Sequence, residues 1–387
     1  MVEHDDDEEE GEGGEERVSP LELFFDLVFV FSITQVTAFI AADPTWRGVG
    51  RGMLVLAVIW WAWVSYSWLT NTLDTNENRT RVVMFAAMGG MFVVAMSISG
   101  AFEDQALLFA GAYFVVRASH ILLYAHASDD GGVKAAVLRT APATLLATSL
   151  LVAAAALGEP WRDGLWVAAV LIDFAGPVLA GMHGWQLHPD HFAERHGLVV
   201  IIAFGESIIA TGLASGGVAL TFAIVLAALL ALAITAALWW AYFDVAALVA
   251  EQRLHQASGL AQLHLARDAY SYLHVVLVAG IVLLAVGAKK SILGIDEPLK
   301  TVPAVALCGG VALYLLGHVA FRLRMTGTLS THRLVVAAGC LALIPLATHA
   351  EPVLALGAIA ALCCGLIVYE VLRFRAPRAQ VRRRATA

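Results

Sequence analysis

The sequence predicts an all-α polytopic membrane protein of about twelve transmembrane helices, arranged as two parallel six-helix repeats. Three observations predict it. Of the 387 residues, 59% are hydrophobic and 14% are charged. Apolar runs of about 20 residues recur along the chain, the length a helix rising 1.5 Å per residue needs to cross roughly 30 Å of hydrocarbon. Short patterns in the first half also return, in the same order, in the second.

The chain opens with "MVEHDDDEEEGEGGEE", which holds ten acidic residues, so the formal −8 of the whole becomes +2 for the remainder. A Gly-rich acidic run cannot bury a core, and residues 1–18 are expected to be a disordered tail. No basic region precedes an apolar stretch, which argues against a cleaved signal peptide. The first span then serves as its own insertion signal.

The first repeat, 19–182, holds apolar segments at 20–41, 49–70, 82–101, 106–126, 138–157 and 163–182. The second, 183–373, holds segments at 197–216, 218–248, 270–288, 302–321, 333–349 and 352–372, and a basic cytoplasmic tail follows at 374–387. The eighth segment is longer than one crossing needs, so it tilts or projects. Cys308, Cys340, Cys363 and Cys364 all fall in apolar spans without metal-like spacing and read as packing residues.

Lys and Arg orient the spans. Even-numbered connections and the termini carry seventeen, odd-numbered connections six, and Arg117 lies inside a span. The positive-inside rule then puts both termini in the cytoplasm, and the expected location is the inner (plasma) membrane. The repeat rests on three pairs. "IWWAWVSY" at 59–66 returns as "LWWAYFDV" at 238–245, "GMFVVAMS" at 90–97 as "GIVLLAVG" at 280–287, and Tyr113 with Arg117 as Tyr314 with His318. Six spans per half make the two halves parallel, an architecture of many transporters.

Ionisable residues inside spans cost roughly 2.5–3.5 kcal/mol each on insertion scales, so those kept call for partners or uses. Here they are Asp26, Arg117, Asp173, Glu206 and Asp244, with His120, His274 and His318 at similar depth. In "ELFFDLVFVF", Glu22 and Asp26 are four residues apart and share an inward stripe with Ile33 and Thr37. Tyr113, Arg117, His120 and Tyr124 form a second stripe on the fourth span, and Arg117 needs an anion, Asp26 or Asp173. In "AFGESIIATG", Gly205, Ser207, Thr211 and Gly212 surround Glu206, where small and hydroxyl residues can bring helices close and satisfy a carboxyl group. Two readings follow: an ion or proton path between the stripes, or a structural network that locks helix packing.

The loop "MHGWQLHPDHFAERHG" concentrates His183, His188, His191 and His196 with Asp190 and Glu194. Its spacing matches no zinc pattern and Pro189 breaks the helix that would align ligands, so no metal is expected. A loop capping the seventh span, with Glu194 and Arg195 at the membrane interface, is the simpler reading. In "HLARDAYSYLHVVLVAG", Arg267, Tyr270, Ser271 and His274 share one face, with Arg267 and Asp268 at the surface and His274 one turn deeper. No phosphate-binding Gly loop, GxSxG, HExxH or basic aromatic patch is present, so neither an enzyme, a cofactor nor a nucleic-acid partner is expected.

With those residues in place, three stretches resemble the bacterial low temperature requirement A (LtrA) family: "ELFFDLVFVFSITQ" at 22–35, "HFAERHGLVVIIAFGESII" at 191–209 and "RDAYSYLHVVLVAGIVLLAVG" at 267–287. Glu22, Phe25 and Asp26 match the first motif; His191, Glu194, Arg195, Gly205 and Glu206 the second; Arg267, Asp268, Tyr270 and His274 the third. His196 departs from it, standing where an aromatic or apolar residue is expected. The family's name records a requirement for growth in the cold and names no reaction. A shorter similarity, "FFD" at 24–26 with Arg17 upstream, is to endosomal potassium channels built from six-helix repeats, whose first helix carries Phe-Ser-Asp. The expected function is a transporter or channel for a small solute or ion, with the bilayer as partner and intramembrane carboxylates lining the path. The alternative is a membrane scaffold or cold-adaptation protein that transports nothing.

Overall fold

Ser19 shows how the first helix begins: its hydroxyl accepts from the Glu22 amide while the Glu22 carboxylate reaches back to the Ser19 amide, a closed capping box with Pro20 at the first helical position. The computed structural model describes residues 18–73, 77–127, 130–216 and 219–385. The acidic tail expected at 1–18 lies, apart from Val18, outside the described residues.

Every regular element among the described residues is helical: α1 Pro20–Ala42, α2 Trp46–Thr70, α3 Asn78–Met96, α4 Ala106–Ala127, α5 Gly131–Leu157, α6 Arg162–Ala180, α7 Pro189–Ser215, α8 Phe222–Phe243, α9 Ala246–Gln256, α10 Gly259–Leu265, α11 Leu273–Leu293, α12 Thr301–Thr326, α13 Thr331–Ala342, α14 Ile344–His349, α15 Pro352–Arg373 and α16 Arg375–Ala385. Twelve helical segments are long and apolar enough to cross a membrane, α8–α9, α10–α11 and α13–α14 each making one. The chain is thus a multi-pass membrane protein.

In the first half α1 packs on α2 and α3, α3 on α4, α4 on α5, α5 on α6, and α6 returns to α2. In the second α7 packs on α8 and α11, α11 on α12, α12 on α13, α13 on α15, and α15 returns to α8. The halves meet where α1 and α2 touch α7 and α11. Outward positions such as Leu23, Phe24, Leu27, Leu171 and Leu179 are exposed, as a lipid-facing surface requires. α2 is the most enclosed span, and its tryptophans reach across the seam: Trp60 Nε1 donates to the Ser271 carbonyl at 2.7 Å and Trp68 Nε1 to the Ser271 hydroxyl at 3.0 Å.

α11 and α12 approach closely because they meet at glycines. A Cβ added to Gly310 would lie 2.5 Å from the Leu284 amide nitrogen, and one on Gly280 would lie 2.6 Å from that of Tyr314. Small residues at a membrane helix crossing allow this backbone contact.

Several elements differ from the expectation. Pro189 does not break the seventh helix but starts it at N1, where its missing amide hydrogen costs nothing, so α7 begins eight residues before the expected 197. The long eighth segment breaks at Asp244–Val245, and α9 continues beyond it. Asp244 therefore stands at the C-cap of α8, within the α8–α9 span, and Arg378 and Arg382 pair with it. Those arginines belong to α16, into which the basic C-terminal stretch folds against α9 and α15.

Candidate functional site

Starting α7 at Pro189 puts His191 and Arg195 one helical turn apart, facing the equally spaced Glu22 and Asp26 of α1. Arg195 Nη2 donates to Asp26 Oδ1 at 2.6 Å, and Nη1 donates to Glu22 Oε1 at 3.2 Å and to the Thr70 hydroxyl at 2.6 Å. Trp63 Nε1 adds a donor to Asp26 Oδ1 at 2.9 Å, and the guanidinium lies over the Trp63 ring. The charged groups are 0% exposed for Asp26 and Arg195 and 1% for Glu22, so the pairing is fully withdrawn from solvent. Arg195 is thus an interior residue, contrary to the expected interfacial position, because the earlier helix start turns it toward α1.

The hydrogen-bond roles of His191 follow from its neighbours. Asn71 Oδ1 accepts from the His188 amide at 2.7 Å, so Asn71 Nδ2 is the donor that faces His191 Nδ1 at 3.1 Å. Nδ1 is therefore an acceptor, and Nε2 carries the hydrogen directed at Glu22 Oε2, 3.0 Å away. Two carboxylates thus face one guanidinium, with the His191 ring against Glu22.

A cavity of about 720 Å³ between the start of α7, the end of α8 and α9 reaches this cluster at His191. Asp190, Glu194 and Glu251 line it, with His255 pairing Asp190 at 3.1 Å, and Tyr242 and Tyr270 form part of its wall. Glu194 is exposed and accepts from the Val18 amide at 3.2 Å, tying the start of the described chain to α7.

Arg117 is not the partner of Asp26. Its Nη2 donates to Asp173 Oδ1 at 3.1 Å and to the Thr144 hydroxyl at 3.2 Å, joining α4, α5 and α6. The α4 stripe itself is as expected: Tyr113, Arg117, His120 and Tyr124 are all buried. His120 Nε2 meets the Ser65 carbonyl at 3.0 Å, and Arg117, His120, Asp173 and Arg267 line a cavity of about 60 Å³. That volume holds a few water molecules, since one needs about 10–15 Å³ of such space.

Glu206 lies apart from both clusters. The Thr34 hydroxyl of α1 meets its carboxyl group, while Ser207 turns to Thr235 and Thr211 bonds the Ser207 carbonyl. The hydroxyl partner thus comes from another helix, not from the residues beside Glu206 in sequence. Gly205 leaves open space around an added Cβ, so helix contact does not require it.

In the third motif a π turn over Ala266–Tyr272 changes the helical phase. Arg267 pairs with Asp268 at 2.7 Å, and Arg324 of α12 pairs with the other Asp268 oxygen at 3.0 Å. Tyr270 stacks on His274, whose Nε2 lies 2.8 Å from the Tyr242 hydroxyl and whose Nδ1 meets the Ala269 carbonyl. His196 packs edge-on to Trp60, Trp63, Tyr270 and His274, filling with imidazole the slot where an aromatic ring was expected. Phe25 packs on Phe29 and Tyr66.

Sequence reasoning missed the contribution of α2, namely Trp63, Thr70 and Asn71, because the tryptophan-rich stretch read only as a repeat. It also missed Arg333, which forks onto both oxygens of Glu370 at 2.7 and 2.9 Å and touches His318.

A family model described as bacterial low temperature requirement A protein matches residues 17–368. An uncharacterized protein, RA0937, of Rhizobium meliloti (strain 1021) is 30% identical over 309 residues, which cover 76% of this chain and 75% of that protein. No solved structure matches the chain.

Proposed function

The chain belongs to the bacterial low temperature requirement A family, and from that premise we propose that it transports a small solute or ion, coupled to a proton or small cation held at the Glu22–Asp26–Arg195 cluster. One observation carries the reading. Two fully buried carboxylates, Glu22 and Asp26, share a single guanidinium, an excess of one carboxylate that a proton or cation would balance.

The acidic rim of the 720 Å³ cavity would draw cations toward His191, the inner group that touches Glu22. Loading the cluster would weaken the hold of Arg195 on α1. Because Arg195 bridges α1 of one half to α7 of the other, its release would free the halves to rock, as alternating access requires. The matched packing order of the halves supports their reading as parallel repeats. So do Tyr113 and Tyr314, which each donate at 3.0 Å to a carbonyl on the Trp-Trp helix of their own half, Val58 and Leu238. With both termini cytoplasmic in the inner membrane, as the Lys and Arg bias suggests, the cavity opens to the cytoplasm.

The test is flux in proteoliposomes under imposed potassium, sodium or pH gradients. Flux by the wild type that Asp26→Asn abolishes supports the proposal, and flux unchanged by Asp26→Asn overturns it. A second reading, a membrane scaffold, draws on the closed pairing of Arg117 with Asp173 and Arg333 with Glu370. It predicts no flux in the wild type under any of the gradients, with Asp26→Asn lowering only thermal stability.

A further inference from the structure

At the end of the bundle where α9, α12, α13, α15 and α16 converge lies a separate cavity of about 400 Å³. Its charge is one-sided. Arg253, Arg322, Arg333 and Arg378 line it against one carboxylate, Glu370. Arg333 takes both oxygens of Glu370, and Arg378 pairs with Asp244 and, at 3.6 Å, with Glu370 Oε2. Arg253 and Arg322 have no carboxylate partner among the described residues; Arg322 donates only to the hydroxyls of Thr328 and Ser330, at 3.1 and 3.3 Å. Arg378 is 7% exposed, and its Nε–H has no acceptor. A buried donor without an acceptor is costly and marks a place where an acceptor is missing.

The opposite character of the remaining wall narrows the ligand. Val249, Phe321, Met325 and Phe374 present apolar surface to the same space. A bare inorganic anion would leave that wall wet, and an apolar molecule would leave the guanidinium groups unsatisfied.

The geometry points to a binding site for a phosphate ester, with the phosphate on Arg253, Arg322 and the free Nε–H of Arg378 and its organic arm against Phe321 and Phe374. Guanidinium forks match phosphate oxygens in charge and spacing. A basic pocket between helices at the membrane surface suits the headgroup of an anionic phospholipid, and the same chemistry suits a soluble organic phosphate. α16 supplies Arg378 and closes the cavity from one side, so an occupant would also hold the C-terminal helix to α9 and α15. This site is separate from the Glu22–Asp26 cluster and stands whether or not the chain transports.

The experiment uses the full chain in phosphatidylcholine nanodiscs, with two probes. One arm adds phosphatidylglycerol to the discs and reads lipid retained by native mass spectrometry; the other titrates glycerol phosphate and reads the melting temperature. Saturable binding of either probe, weakened about tenfold or more in Arg253→Gln/Arg322→Gln, is expected from the loss of two charge-assisted contacts. Binding in the first arm alone identifies the lipid source, and binding in the second identifies the soluble one. Absence of binding in both arms, or equal binding by wild type and variant, overturns the site. Where the double variant does not fold, Arg253→Gln serves alone, since that side chain is exposed and holds no ion pair among the described residues.

Discussion

Arg195 Nη2 lies 2.6 Å from Asp26 Oδ1, with both side chains fully buried, and the bond joins α7 of the second half to α1 of the first. Such a pair costs both partners their hydration, which the Coulomb attraction and the added hydrogen bonds of Trp63 and Thr70 offset. A buried pair is poor evidence of stability by itself. What matters here is its position, at the seam where a relative movement of the halves would break it.

Removing the cation alone should be severe. Arg195→Gln leaves Glu22 and Asp26 facing each other without a counter-charge, and loss of one partner of a buried pair costs about 3–5 kcal/mol. Thermal melting in detergent should show a large drop, part of which Arg195→Gln/Asp26→Asn recovers. A double variant as unstable as the sum of the two single variants would show that the residues do not interact.

The second buried pair makes an independent case. Asp173→Asn strands Arg117 between α4, α5 and α6, and Arg117→Gln strands Asp173, whereas the double change removes both charges. A double-mutant cycle should give a coupling of at least about 1 kcal/mol. A coupling near zero would restore Asp26 as a competing partner for Arg117.

The stripes on α1 and α4 were legible because a helix of 3.6 residues per turn places Glu22, Asp26, Ile33 and Thr37 on one face wherever the helix ends, and all four are buried. The partner of Asp26 was not legible, because it depended on one boundary. With Pro189 read as a breaker, Arg195 fell in a loop; with Pro189 at N1, it falls one turn after His191. The signal lay in the spacing itself, two acids four apart on α1 and two bases four apart on α7. The helix end at Asp244 was not legible for the opposite reason. An unbroken apolar run hides a helix end, and only the arginines of α16 show why the carboxylate sits there.

Glycine substitutions separate tight helix contact from open space. Gly310→Ala drives a methyl group into the Leu284 backbone, and overpacking of this kind costs about 1–3 kcal/mol. Gly205→Ala meets nothing within 4 Å and should be neutral, or stabilising by up to about 1 kcal/mol through better helix propensity. Melting temperatures of the two variants should therefore move apart. A Gly205→Ala protein as unstable as Gly310→Ala would contradict the helix geometry around Glu206.

The contact of Thr34 with Glu206 joins α1 to α7 at a second point, deeper than Arg195. Thr34→Val keeps the shape of the side chain and removes the hydroxyl, leaving the buried Glu206 carboxyl group with the Thr37 hydroxyl but without that of Thr34. The loss of one hydrogen bond costs about 0.5–1.5 kcal/mol, whereas replacing both partners by apolar groups is nearly neutral. Thr34→Val should therefore lower the melting temperature, Thr34→Ser should preserve it, and Thr34→Val/Glu206→Leu should recover most of the loss. If Thr34→Ser melts as low as Thr34→Val, the methyl packing rather than the hydroxyl holds the helices here. Glu206 would then need a different partner.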